Sequence, residues 1–138
     1  MFFSKKEKND NESNLKKIGA LLIHTAKIDE NYSIEEEEII KETLLSLGAN
    51  KNNLNTLIME AKQCEEDANQ ILDFTKEIKN LDENDKIKII KSLWRIIYSN
   101  QDADIYETNL MRRLAGLLYI DSKVMGNIKE EIIKENLK

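Results

Sequence analysis

The sequence of 138 residues contains no proline, one cysteine, one histidine and only four glycines. Without proline, no helix is forced to break or kink at a fixed position. The single Cys64 excludes an internal disulfide and any metal site built from several cysteines. No apolar run approaches the roughly 20 residues of a membrane-spanning helix, and the three residues 1–3 are too few for the apolar core of a secretory signal. These absences predict a cytoplasmic protein with no direct membrane insertion.

The charge balance is acidic, with 26 Asp and Glu against 21 Lys and Arg, a net charge of −5. Nonspecific binding of nucleic acid depends on a basic surface, so nucleic acid is not an expected partner. A catalytic triad is also not expected, because no serine or cysteine lies at a usable spacing from His24. We predict that His24 is a structural imidazole bonded to a neighbouring side chain, and that the protein is not an enzyme.

The remaining composition favours helices, since 41% of the residues are hydrophobic, 34% are charged, and most are good helix formers. Apolar residues recur at spacings of three and four, which is the period of an amphipathic helix, and no stretch shows the alternation of a strand. The prediction is an all-α compact bundle of about seven helices. Residues 1–13 are rich in Lys, Asn and Glu and are predicted to be a flexible segment. Residues 14–138 are predicted to form a single domain, with the first helix beginning near Asn14.

Two parts of the chain are similar at a spacing of 71 residues, as from Glu36 to Glu107 and from Leu47 to Leu118. Each part reads as an apolar helix, a short polar turn and a second helix. The similarity therefore predicts two pseudo-repeated helical hairpins that pack around one core.

Each predicted hairpin carries an acidic turn, and turns frequently carry function. Asp29 and Glu36 belong to the first turn, and Asp102, Asp104 and Glu107 belong to the second. Carboxylate oxygens are the ligands that Ca²⁺, Mg²⁺ and Mn²⁺ prefer. These five residues are therefore the candidate ligands of a divalent cation.

The two turns resemble the opening of an EF-hand but fail its pattern. The sixth position is Ile34 or Ile105 where glycine is required, and the twelfth is Ile40 or Met111 where a bidentate glutamate is required. The turns are therefore not EF-hands.

A structural explanation of the same acids stays open beside the metal hypothesis. Ser33 with Glu36, and Asp104 with Glu107, have the spacing of a capping box, in which each residue bonds the backbone amide of the other. Acidic residues in a first helical turn also complement the helix dipole. Capping alone would account for these residues without a metal.

Specific strings in the chain resemble the tellurite-resistance protein B (TerB) family. The first is the run from Leu21 to Asp29 followed by Ser33 and Glu36, and the most specific part of the second is Arg-Arg-Leu-Ala-Gly-Leu-Leu at residues 112–118. The similarity extends over roughly residues 15–133. The chain departs from the family pattern where Glu30 and Gln101 replace a turn glycine and where Asn100 replaces the second turn aspartate.

The resemblance implies a small, all-helical cytoplasmic protein of tellurite-resistance and stress-response systems. It implies acidic turns that bind a divalent cation, and action through association with other proteins, membrane-associated stress-response components among them, rather than catalysis. The alternative is a protein-binding scaffold or co-chaperone-like adaptor with no metal role. TerB-like domains also occur joined to J-domains, but this chain lacks the J-domain His-Pro-Asp motif because it has no proline.

Overall fold

The structure, a computed structural model, describes the backbone of residues 5–28, 32–99 and 105–136, and the side chains of residues 13–28, 32–99 and 106–135. Those ranges contain seven α-helices and a short 3₁₀ helix at Lys51–Asn53, and no strand. The α-helices are α1 (Lys5–Lys27), α2 (Ile34–Ser46), α3 (Leu54–Asp67), α4 (Leu72–Ile78), α5 (Glu83–Tyr98), α6 (Ile105–Leu117) and α7 (Ser122–Asn136). The predicted all-α class and the number of helices are confirmed.

Local sequence signals account for several helix ends. The Ser33 hydroxyl accepts a hydrogen bond from the Glu36 amide at the start of α2, and the Asp82 carboxylate accepts one from the Asp85 amide at the start of α5. At the end of α2, Gly48 adopts a left-handed φ of 108°. Glycine reaches this conformation without a steric penalty, so the helix ends where the sequence predicts.

The start of α1 differs from the prediction, because the helix begins at Lys5 and not near Asn14. Residues 5–13 contain neither glycine nor proline and include three lysines and two glutamates, which have high helix propensity. A helix already nucleated by the apolar residues downstream can extend through such a segment at little cost. The predicted flexibility of residues 1–13 stays a prediction.

Helices α1 and α5 form the centre of the hydrophobic core. Ala20, Leu21, Leu22 and Ile23 are four consecutive buried residues of α1, so every side of this turn faces protein. Such burial is expected of a helix enclosed by neighbours and not of one that lies at the surface. The neighbours of α1 are α2, α3, α4 and α5, while α5 also contacts α2 and α7.

Helices α1 and α3 approach each other closely at Gly19. A Cβ atom added at Gly19 would lie 2.9 Å from the Cβ of Ala61 and 3.5 Å from a methyl group of Leu44. A distance of 2.9 Å is too short for two carbon atoms in van der Waals contact. Glycine is therefore required at position 19 for α1 and α3 to pack at this distance.

The helices of the two predicted hairpins pack differently. Helix α1 packs on α2 as predicted, whereas α5 makes its most extensive contacts with α7, and α6 contacts α4 and α7. The compact bundle is confirmed, and the internal repeat stays a prediction. None of the helices described combines the length and apolarity that a membrane crossing requires.

Candidate functional site

Two of the five predicted metal ligands lie within the described part of the chain. Glu36 is the third residue of α2, and Glu107 is the third residue of α6. Asp29, Asp102 and Asp104 lie outside the described residues, and their role as ligands stays a prediction. The geometry of the site is therefore built from the two glutamates and the side chains around them.

Glu36 completes the capping box that its spacing predicts. Its Oε1 atom accepts a hydrogen bond of 2.9 Å from the Ser33 amide, and its own amide donates one of 3.1 Å to the Ser33 hydroxyl. A capping box consists of these two bonds. Glu36 is nevertheless only 1% exposed. Its burial goes beyond what capping alone requires.

Glu107 occupies the corresponding position in α6 and is 5% exposed. Its charge affects Tyr98, the last residue of α5: burial is the main cause that raises the pKa of Tyr98, and the negative charge of Glu107 raises it further. The ring of Tyr98 stacks on that of Trp94, with 5.9 Å between ring centroids. The charge of Glu107 therefore acts on the end of α5 that carries these two aromatic rings.

Burial separates these two glutamates from the other acidic residues. Among the side chains that the structure describes, Glu36 and Glu107 are the only buried carboxylates. Removing a carboxylate from water is costly unless positive charge or hydrogen-bond donors compensate for it. The two acids singled out by sequence spacing are therefore the two described carboxylates that are buried, and both have interaction partners in the protein.

The donor chemistry of these residues fits a hard divalent cation, since both side chains supply oxygen. Within residues 13–28, 32–99 and 106–135, no group of three or more His, Cys, Asp or Glu side chains is arranged to hold a metal ion. Glu36 and Glu107 do not make a complete site by themselves. A metal site requires the predicted aspartates as well.

A network of polar side chains joins α2 to α3 beside the first acidic turn. The Lys62 ammonium lies 2.9 Å from Glu37 Oε1, and the Tyr32 hydroxyl donates to the same oxygen at 3.3 Å. The Lys62 ammonium also lies 5.4 Å from the centroid of the Tyr32 ring. The bond from Lys62 is the main cause that lowers the pKa of Glu37, whereas burial and the charge of Glu37 raise the pKa of Tyr32.

A second network joins α1 to α3. Glu65 lies 2.6 Å from the Lys27 ammonium and 3.3 Å from His24 Nδ1. Burial raises the pKa of Glu65, but the bonds from Lys27 and His24 outweigh it and leave the pKa below its ordinary value. The predicted bond of His24 to a neighbouring side chain is confirmed, and its purely structural role stays a prediction. The identity of its partner was not predictable, because Glu65 lies 41 residues away.

The pH dependence of stability should reveal the Glu65 network. Because the folded-state pKa of Glu65 is lowered, its stabilising contribution is complete above the ordinary value of 4.5 and is lost as the pH falls through the folded-state pKa. We expect Glu65→Gln to lower the free energy of unfolding by about 0.5–1 kcal/mol at neutral pH, with the difference disappearing in acid. Urea unfolding across a pH series measures this difference.

The matched control is Glu60→Gln, because Glu60 is an exposed residue of the same helix. It should leave the free energy of unfolding nearly unchanged at every pH. A difference between Glu65→Gln and wild type that is equal in acid and at neutral pH would contradict the proposed ion pair.

Comparison with known proteins finds one match, and the matched range includes both Glu36 and Glu107. A family model described as Tellurite resistance protein TerB matches residues 16–130. This range extends from α1 into α7 and confirms the resemblance inferred from the sequence motifs. No curated protein and no solved structure matches the chain significantly.

Proposed function

The chain belongs to the TerB family of tellurite resistance proteins, and from this premise we propose that it is a non-enzymatic interaction or sensing module of a stress response. Its partners are other proteins, membrane-associated components among them, and its location is the cytoplasm. A divalent cation at the acidic turns modulates its interactions. The cation is Ca²⁺, Mg²⁺ or Mn²⁺, the ions that oxygen ligands favour.

The observation that supports a cation most strongly is the burial of Glu36 and Glu107. Both residues lie in the first turn of a helix that follows a predicted acidic turn. Asp29, Asp102 and Asp104 complete the proposed ligand set. When bound, the cation supplies positive charge, while the protein positions the carboxylates and keeps solvent away from the two glutamates.

The second candidate function is a protein-binding scaffold in which these glutamates act only as caps. The complete capping box of Ser33 and Glu36 favours this alternative, because capping gives Glu36 a role without any ligand. The two candidates differ in one measurable property. A sensing module responds to a cation, whereas a scaffold does not.

Calorimetric titration of the full chain with Ca²⁺, Mg²⁺ and Mn²⁺ tests the cation. We expect saturable heat for wild type with at least one ion, and none for Glu36→Gln/Glu107→Gln, because glutamine keeps the size of the side chain but removes its charge. The control is Glu35→Gln/Glu38→Gln, which changes two exposed residues at the start of α2. It should bind the ion as wild type does.

Two results would remove the cation from the proposal. One is the absence of saturable heat in wild type, and the other is unchanged heat in the Glu36→Gln/Glu107→Gln variant. If the glutamates act only as caps, replacing either by alanine lowers the free energy of unfolding by about 0.5–2 kcal/mol whether or not a cation is present.

A further inference from the structure

Helix α3 forms an ion pair on each side of the first acidic turn. Before the turn, Glu65 lies 2.6 Å from the ammonium of Lys27, the last residue of α1. After the turn, the Lys62 ammonium lies 2.9 Å from Glu37, in the first turn of α2. One helix therefore holds both the end of α1 and the start of α2.

Both ion pairs come from the same face of α3. Lys62 and Glu65 are three positions apart, a spacing that places side chains next to each other on a helix. The candidate ligands Asp29 and Glu36 lie between the two partners of this face in the sequence. We refer to Lys62 and Glu65 as the anchor residues.

A third side chain ties each ion pair to the hydrophobic core. Tyr32 packs against the core and donates a hydrogen bond of 3.3 Å to Glu37, while the Lys62 ammonium lies 5.4 Å from the centroid of its ring. His24 lies 3.3 Å from Glu65, and its ring centroid is 6.1 Å from that of the buried Phe74. Contacts of this kind restrict the geometry that the anchored residues can adopt.

The contact with Glu37 also constrains its neighbour Glu36. Successive residues of an α-helix point about 100° apart around its axis. Fixing Glu37 on α3 therefore sets the rotation of the first turn of α2, and with it the direction of the buried Glu36 side chain. The capping bond from the Ser33 amide to Glu36 Oε1 acts on the same turn.

A purely structural role explains only part of this arrangement. Ion pairs near the surface add little to stability, and any site on α3 could supply such a pair. Among the described residues, every ion pair of α3 reaches the end of α1 or the start of α2. Stability alone gives no reason for this restriction, whereas the orientation of a site between those two ends does.

We propose that Lys62 and Glu65 are positioning residues for the divalent cation at the first acidic turn. They do not ligate the cation. They hold the end of α1 and the start of α2 against α3, so that the ligands between them need less reorganisation when a cation binds. The inference rests on the proposed cation and names the residues that set its affinity.

Calorimetric titration of the full chain with Ca²⁺, Mg²⁺ and Mn²⁺ tests the anchor residues. The variants are Glu37→Gln/Lys62→Met and Lys27→Met/Glu65→Gln. Each removes one positive and one negative charge, so the net charge that the cation meets is unchanged. We expect each variant to raise the Kd by about tenfold, as the loss of residues that orient metal ligands commonly does. The midpoint of urea unfolding without a cation should change little.

Two control variants separate positioning from other effects. Lys62→Arg keeps the positive charge and the hydrogen bonding to a carboxylate, and its Kd should stay within about threefold of wild type. Lys91→Met/Glu131→Gln removes an ion pair of similar type between α5 and α7. Its Kd should stay within about twofold of wild type, because that pair does not touch the first acidic turn.

A double-mutant cycle on Lys62 and Glu37 gives a second readout that a purely structural pair would not change. If the ion pair favours the arrangement that binds the cation, the cation must strengthen the ion pair by the same factor. Urea unfolding of Glu37→Gln, Lys62→Met and the double variant measures the coupling between the two residues. We expect this coupling to be larger with saturating cation than without it.

The proposal is overturned if both charge-neutral variants bind the cation with the Kd of wild type, or if Lys91→Met/Glu131→Gln weakens binding as much as they do. Equal coupling with and without the cation also overturns it. Wild-type heat that is lost only in Glu36→Gln/Glu107→Gln keeps the cation and removes the anchor residues. The absence of heat in wild type removes both proposals together.

Discussion

Replacing Gly19 by leucine should lower the free energy of unfolding by about 3 kcal/mol. A Cβ atom at this position would lie 2.9 Å from the Cβ of Ala61. Because that atom is attached directly to the backbone of α3, it cannot rotate away, and the two helices must separate. Separation would loosen the packing of α1, which contacts four other helices. Urea unfolding of the variant and of wild type measures the difference.

Gly126→Leu is the matched control, because Gly126 is an exposed residue of α7 with no described atom within 4 Å of an added Cβ. It should raise the free energy of unfolding by about 0.5–1 kcal/mol, since glycine disfavours a helix. A second test moves the methyl group from α3 to α1 in the double variant Gly19→Ala/Ala61→Gly. Its free energy of unfolding should be about 1–2 kcal/mol higher than the value obtained by adding the effects of the two single variants. Additive effects would contradict a close contact between α1 and α3.

Replacing Phe74 by alanine should lower the free energy of unfolding by about 3–5 kcal/mol. Phe74 is a large buried side chain of α4, and its ring centroid lies 6.1 Å from that of His24. Helix α4 has only seven residues, which is too short to be stable without tertiary contacts. Removing the ring therefore leaves a cavity and also weakens the attachment of α4 to α1. Thermal and urea unfolding both report this loss.

Leu72→Ala provides the comparison for Phe74, because Leu72 lies in the same short helix but is exposed. Its effect should stay within about 0.5 kcal/mol. Equal losses for the two variants would show that helix propensity, and not burial of the phenylalanine ring, holds α4 in place.

Local features of the fold were predictable from the sequence. The ends of α2 and α5 follow from Ser33, Gly48 and Asp82, because capping depends on residues within four positions of one another. The early start of α1 at Lys5 was not predicted, since polar helix formers and a flexible segment have similar compositions. The burial of α1 on every side was also not predictable, because it depends on which helices surround it.

The candidate site shows the same division between local and distant contacts. Spacing identified Glu36 and Glu107 as the acids of interest, and both are buried. The bond between Lys27 and Glu65 joins residues 38 positions apart, and no periodic pattern specifies such a pair. The left-handed φ of 57° at Tyr119, after the end of α6, gave no signal in the sequence, since glycine and asparagine are the residues that normally mark this conformation.

The enclosure of α1 limits how this protein can be recognised. The turn from Ala20 to Ile23 has no side that reaches solvent, so a molecule that touched it would first have to open the bundle. Opening would expose the apolar centre of the domain and forfeit much of its modest stability. Recognition by the native protein is therefore confined to its peripheral helices and the bends that connect them.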